Sequence, residues 1–194
     1  MDSFLTSSNL FWRLARAVSG YAKILRVYEA VRPELEPGDK AGEFATAVMQ
    51  KLGIEVSALG AENLQDLKGP LLFIANHPFG VLDALGLMQV MKWKTPDFRF
   101  IANQEVGRVS ELREALIPMQ IKDHLPMQGA NAVQLRKTLG FLRSGGVVGV
   151  FPAGEVAAFN SLRSSRTTEK VWSSHVARLA VASRATIVPV YFPG

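Results

Sequence analysis

Hydrophobic and polar positions follow two different rhythms along this chain of 194 residues. From Leu10 to Tyr28, on a helix turning about 100° per residue, Leu10, Leu14, Val18, Tyr21, Leu25 and Tyr28 fall on one narrow face. Arg13, Arg16, Lys23 and Arg26 fall on another, and no acidic residue joins them before Glu29. This predicts a basic amphipathic helix. Arg32-Pro33 and Glu36-Pro37-Gly38 interrupt the pattern, and a second helix is expected from about Asp39 to Leu52, ahead of Gly53.

After Gly69-Pro70 the rhythm changes. Short apolar runs, at 71–76, 98–103, 115–121, 146–151 and 185–192, alternate with amphipathic stretches near 83–93, 108–116, 130–144 and 169–183. Strand–helix alternation of this kind predicts an α/β fold with a mostly parallel central sheet flanked by helices. The chain then divides into an N-terminal helical segment, 1–69, and an α/β domain, 70–194. No internal repeat or low-complexity tract is present.

Composition narrows the chemistry. Apolar residues make up 48% and charged residues 20%, a globular balance. The absence of cysteine excludes disulfides, thiolate catalysis and Cys-based metal sites. The three histidines, His77, His124 and His175, are never at ligand spacing, so no metal site is expected. A net charge of +5 favours anionic partners: nucleic acid, an acidic carrier protein or an anionic membrane. No apolar run reaches the roughly 18 residues of a spanning helix, and no signal-peptide pattern opens the chain. Two readings of the first helix therefore stand together: packing of its apolar face on the domain, and insertion in a membrane interface with Phe4, Leu5, Phe11 and Trp12 as added anchors.

In parallel sheets, ligands bind where strands end. The first strand runs into Asn76-His77-Pro78-Phe79-Gly80-Val81-Leu82-Asp83. A carboxylate on one imidazole nitrogen orients the ring and supports its charged form, leaving the other nitrogen to take a proton from a hydroxyl. The plain alternatives are an N-cap aspartate and a satisfied strand-end histidine. The strand at 146–151 stops at Phe151-Pro152-Ala153-Gly154-Glu155, a tight turn where Gly154 permits close backbone approach to a ligand. Glu155 either binds a polar acceptor group or opens a solvated loop. The polar run NSLRSSRTTEK carries Arg163, Arg166 and Lys170, and reads either as an exposed loop or as an anion clamp. Gly-x-Ser-x-Gly, P-loop and Gly-x-Gly-x-x-Gly patterns are all missing at the strand ends. With no nucleic-acid motif either, no nucleic-acid partner is expected.

In order and context these strand-end pieces resemble the lysophospholipid and glycerol-phosphate acyltransferases. That superfamily carries His-x-x-x-x-Asp, then Phe-Pro-Glu-Gly-Thr-Arg, then Val-Pro-Val-x-x-x-Gly. The counterparts here are NHPFGVLD, FPAGEV and Val188 to Gly194, so the likeness spans roughly Leu71 to Gly194. Five residues, not four, lie between His77 and Asp83, and Ala153, Glu155 and Val156 stand where the family has Glu, Thr and Arg. Both departures resemble the branch often labelled hemolysin-like, which includes lyso-ornithine lipid O-acyltransferases. The nearest counterpart of the family's Gly-x-x-Phe-x-x-Arg segment is Ile117 to Lys122.

The resemblance implies transfer of a fatty acyl group from acyl-carrier protein or coenzyme A to a lysolipid hydroxyl. His77 would act as general base and Asp83 would orient it. Asn76, Pro78, Phe79, Gly80, Lys122, Phe151, Pro152, Gly154, Glu155, Arg163 and Arg166 would contact substrate. It implies no cofactor, a peripheral location on the cytoplasmic face of a bacterial inner membrane reached through the first helix, and a chain ending short of the family's usual length. The rival expectation is a lipid-binding module with this fold and no activity.

Overall fold

The computed structural model describes residues 21–38, 40–120, 128–159 and 167–193. Two helices come first, α1 (Tyr21–Val31) and α2 (Ala41–Lys51). The sheet and its crossovers follow: β1 (Leu71–Ala75), α3 (Val81–Lys94), β2 (Phe98–Asn103), β3 (Leu116–Met119), α4 (Gln128–Arg143) and β4 (Val147–Val150). A two-residue hairpin pair, β5 (Ala158–Phe159) and β6 (Thr167–Thr168), precedes α5 (Ser174–Ser183) and β7 (Thr186–Val190).

The five long strands form one sheet in the order β3-β2-β4-β1-β7, and every pairing in it is parallel. This is the α/β architecture that the strand–helix alternation predicts. β1 and β4 read as unbroken apolar runs because they sit inside the sheet with both faces covered. Pro118 and Pro189, the two strand prolines, lie in β3 and β7, the edges, where a missing N–H breaks no ladder bond.

Alternation along β1 and β4 sends side chains to two cores. Leu71, Phe73, Ala75 and Val147 pack with α1, α2 and α3 on one face. Leu72, Val148 and Val150 pack with Leu142 of α4 and with Leu179 and Ala180 of α5 on the other. Gly149 faces α3, and a Cβ there would lie 2.7 Å from Met91 Sδ, so glycine lets that helix close onto the sheet.

Three expectations need correction. The stretch 108–116 is not a regular helix: Arg108 ends one 3₁₀ turn, Gln104–Arg108, Ser110–Leu112 form a second, and Leu116 already opens β3. Val106, Val109, Leu112 and Ala115 all reach the core, and their spacing of three is the 3₁₀ repeat. The last helix begins at Ser174, not near 169, because Ser173 caps it, accepting from the His175 N–H. Third, α1 buries Val27 and Val31, which lie off the expected stripe, beside Tyr28, which lies on it. The Tyr28 ring meets Phe44 edge-on and the hydroxyl donates to Glu111. Within the described residues α1 therefore packs on the domain. The part of this helix before Tyr21 lies outside them.

Candidate active site

β1 delivers His77 two residues past its end, on the face that carries Leu71, Phe73 and Ala75. Phe151, one residue past β4, lies on the same face. The two rings stack at 3.9 Å between centroids, 10° from parallel. His77 Nδ1 donates to Asp83 Oδ2 at 3.0 Å. With its proton there, the lone pair of the neutral ring stands on Nε2, which has no hydrogen-bond partner among the described residues. The His77 side chain is 14% exposed and that of Asp83 1%.

The loop between them explains how a gap of five residues closes. Pro78 starts a bend and Gly80 takes φ +70° and ψ −119°, a conformation L side chains rarely adopt. α3 then begins, with Asp83 in its first turn. The Asp83 Oδ2 that meets the imidazole also accepts the N–H groups of Phe79 at 2.7 Å and Gly80 at 3.0 Å. A carboxylate at a helix start is favoured by the orphan amides and the helix dipole. Asp83 thus both secures the helix entry and orients the imidazole. Its other oxygen, Oδ1, is buried without a hydrogen-bond partner among the described residues. Positive charge on His77 would therefore meet a dehydrated carboxylate through a low local dielectric.

The turn after β4 packs against this centre. Gly154, at φ +76°, closes it by donating its N–H to the Phe151 carbonyl at 3.0 Å, so that amide is not open to a ligand oxygen. Ala157 donates to the His77 carbonyl at 2.9 Å. Glu155 is exposed and its carboxylate meets Lys170 at 2.7 Å. Pro152 is buried, and its carbonyl accepts from Ser173.

Of the residues expected to contact substrate, Pro78, Phe79, Gly80, Phe151 and Pro152 stand here with the expected base, His77. The Asn76 amide is committed at both ends to Phe192, donating to its carbonyl at 2.8 Å and accepting its N–H at 2.7 Å. This fastens the end of β1 to the chain leaving β7. Lys122, Arg163 and Arg166 lie outside the described residues.

No motif singles out Glu169 or Trp172, yet both belong to the centre. Glu169 Oε1 accepts the His77 backbone N–H at 2.6 Å, and Oε2 accepts the Trp172 indole N–H at 2.7 Å. A contact spanning 92 positions leaves no local trace in a single sequence.

Two surface cavities, of about 530 and 430 Å³, lie elsewhere. One adjoins the turns between β2 and β3, at Gln104, Arg108 and Arg113. The other opens at the amino ends of β1 and β4, around Leu71, Gly146 and Val147, the end of a parallel sheet that does not gather ligands. The histidine–carboxylate pair marks the carboxyl end instead.

A family model described as Acyltransferase matches residues 55–193, well over half of the chain. The chain belongs to the Acyltransferase family. This acyltransferase falls in the lysophospholipid and glycerol-phosphate acyltransferase superfamily and is an enzyme of acyl transfer. No curated protein matches it significantly. The matched stretch takes in all seven strands of the described residues and starts after α2.

Proposed function

We propose that this acyltransferase transfers a fatty acyl group from an acyl-carrier-protein or coenzyme A thioester to the hydroxyl of a lysolipid, at a membrane surface. The observation that carries the reading is the His77–Asp83 pair at the carboxyl end of the sheet, whose Nε2 has no hydrogen-bond partner among the described residues. Nε2 takes the proton of the acceptor hydroxyl as its oxygen attacks the thioester carbonyl carbon. Asp83 holds the ring and offsets the charge it gains. The tetrahedral oxyanion collapses, the carbon–sulfur bond breaks, and the leaving sulfur takes the proton back from Nε2. An ester and a free thiol result.

The surroundings support a lipid acceptor. Phe79 and Val81, beside His77, are 54% and 58% exposed, and Leu82, Val156 and Trp172 add further exposed apolar surface. Val156 lies over Gly80, within 4 Å of where a Cβ would stand. An apolar rim gathered around a polar centre is what a lipid or membrane contact requires. The net charge of +5 suits both an acidic carrier protein and an anionic bilayer. Among the described residues no helix is long and apolar enough to cross a membrane.

Within the superfamily we assign the chain to the hemolysin-like branch, with a lyso-ornithine lipid as the favoured acceptor and a lysophospholipid as the other. The five-residue gap and Val156, at the family's Arg position, support this over a glycerol-phosphate acceptor. Purified protein given acyl-carrier-protein or coenzyme A thioesters and a lysolipid panel should release thiol and yield an alkali-labile ester of the expected mass. His77→Ala should slow release by about 10²–10⁴-fold. An unchanged rate in that variant, or silence with every acceptor, would overturn the reading.

A further inference from the structure

The backbone of His77 lies beyond the last ladder bond of β1, yet neither of its polar groups is left to water. The N–H donates to Glu169 Oε1 at 2.6 Å and the carbonyl accepts from Ala157 at 2.9 Å. Ala157 immediately precedes β5 and Glu169 immediately follows β6, so both arms of one hairpin grip the same residue. The arms are joined below this grip, where Ser173 donates to the Pro152 carbonyl at 3.0 Å. Glu169 is itself held, because its second oxygen accepts from the Trp172 indole at 2.7 Å.

A strand-end amide needs no carboxylate from 92 residues away, since a water would satisfy it. A charge-assisted bond is about twice as strong as a neutral one and is directional. This one acts on the main chain of His77 while Asp83 acts on its ring. Two carboxylates thus fix one histidine: one sets where its Cα lies, the other how the imidazole turns.

We propose that Glu169 is a positioning residue for His77, clasping its backbone from the hairpin so that Nε2 is held at a constant place. The proposal rests on His77 being the general base. Glu169 touches neither the imidazole nor the reacting atoms. Its effect comes through geometry, where a displacement on the order of 1 Å costs up to 10²-fold in rate.

The test compares Glu169→Ala, Glu169→Gln, Trp172→Phe and the Gln/Phe double variant, in turnover and in the ¹H–¹⁵N spectrum of the whole protein. Glu169→Ala is expected to lower kcat by about 10–100-fold with KM for donor and acceptor unchanged. The His77 amide proton should move upfield and exchange faster. A glutamine keeps an acceptor for His77 but turns its NH₂ toward the indole N–H. Removing that donor with Trp172→Phe should therefore restore part of the rate and of the amide shift lost in Glu169→Gln.

An unmoved His77 amide in Glu169→Ala overturns the clasp. So does a displaced amide with unchanged kcat, or a loss confined to KM. If Glu169→Ala fails to fold, the glutamine and double variants decide the matter by the same readouts. The amide shift needs no turnover, so a wild-type protein that transfers no acyl group would refute the functional reading while the clasp is still measured.

Discussion

Asp83 carries two loads that separate by substitution. Its Oδ2 bonds two backbone amides as well as the imidazole, so Asp83→Ala strips Phe79 and Gly80 of their acceptor. That variant should lose about 1–3 kcal/mol of stability, read by thermal or urea unfolding. Asp83→Asn keeps an acceptor of the same size and should fold nearly as well. It lacks the charge that supports a protonated ring, so its turnover should fall about 10²–10⁴-fold. Equal activity in the asparagine variant and the wild type would reduce Asp83 to a helix cap. The N-cap itself is Gly80, not Asp83 as the capping reading had it; Asp83 stands at N3, where it accepts the Gly80 amide while it orients the ring.

At the scale of elements, the approach of α3 to the sheet depends on Gly149. A Cβ there meets Met91 Sδ at 2.7 Å and Cε at 2.8 Å. Gly149→Ala should cost about 1–3 kcal/mol through overpacking. Shortening the opposing side chain with Met91→Ala should be less damaging in that background than in the wild type, a coupling that a double-mutant cycle measures.

The seam between α2 and α3 makes a second prediction. Partial burial pushes the Glu43 carboxyl up. The backbone amides of Glu43 itself and of Lys40, with the Lys92 ammonium 3.2 Å away, outweigh it and hold its pKa below the usual carboxylate value. A group lowered on folding adds stability that is fully present above the ordinary carboxylate pKa and lost as pH falls through the lowered one. Thermal scans of Glu43→Gln should therefore show a flatter acid-side decline than the wild type. Parallel curves would remove Glu43 from the acid response.

The whole molecule joins the N-terminal helices to the sheet. Val27 and Val31 of α1 share one core with Phe44 and Val48 of α2 and with Phe73 of β1. A deletion meant to probe membrane binding must therefore stop before Val27. Removing residues 1–20 takes away Arg13 and Arg16 and leaves Val27, Val31 and the other described residues of that core in the chain. It should weaken co-sedimentation with anionic vesicles while turnover of a soluble short-chain substrate persists. Raised salt should weaken wild-type binding in the same way, since exposed charge is screened within about 8–10 Å. Equal loss of vesicle binding and soluble turnover would instead place the segment in the enzyme's stability.

By itself the sequence determined what depends on neighbours along the chain. Short apolar runs marked all five long strands, and the order of NHPFGVLD, FPAGEV and Val188 to Gly194 marked the strand ends around which His77, Asp83 and Phe151 stand. The 3.6-residue repeat marked α2 and α3 to within a few residues, and failed over 108–116, where a spacing of three builds 3₁₀ turns. Only the tertiary structure decided the strand order, the burial of Val27 and Val31, the engagement of Asn76 by Phe192, and the grip of Glu169 on His77. Each joins residues far apart in the chain, and such contacts are chosen by how whole elements pack, which no local pattern of side chains encodes.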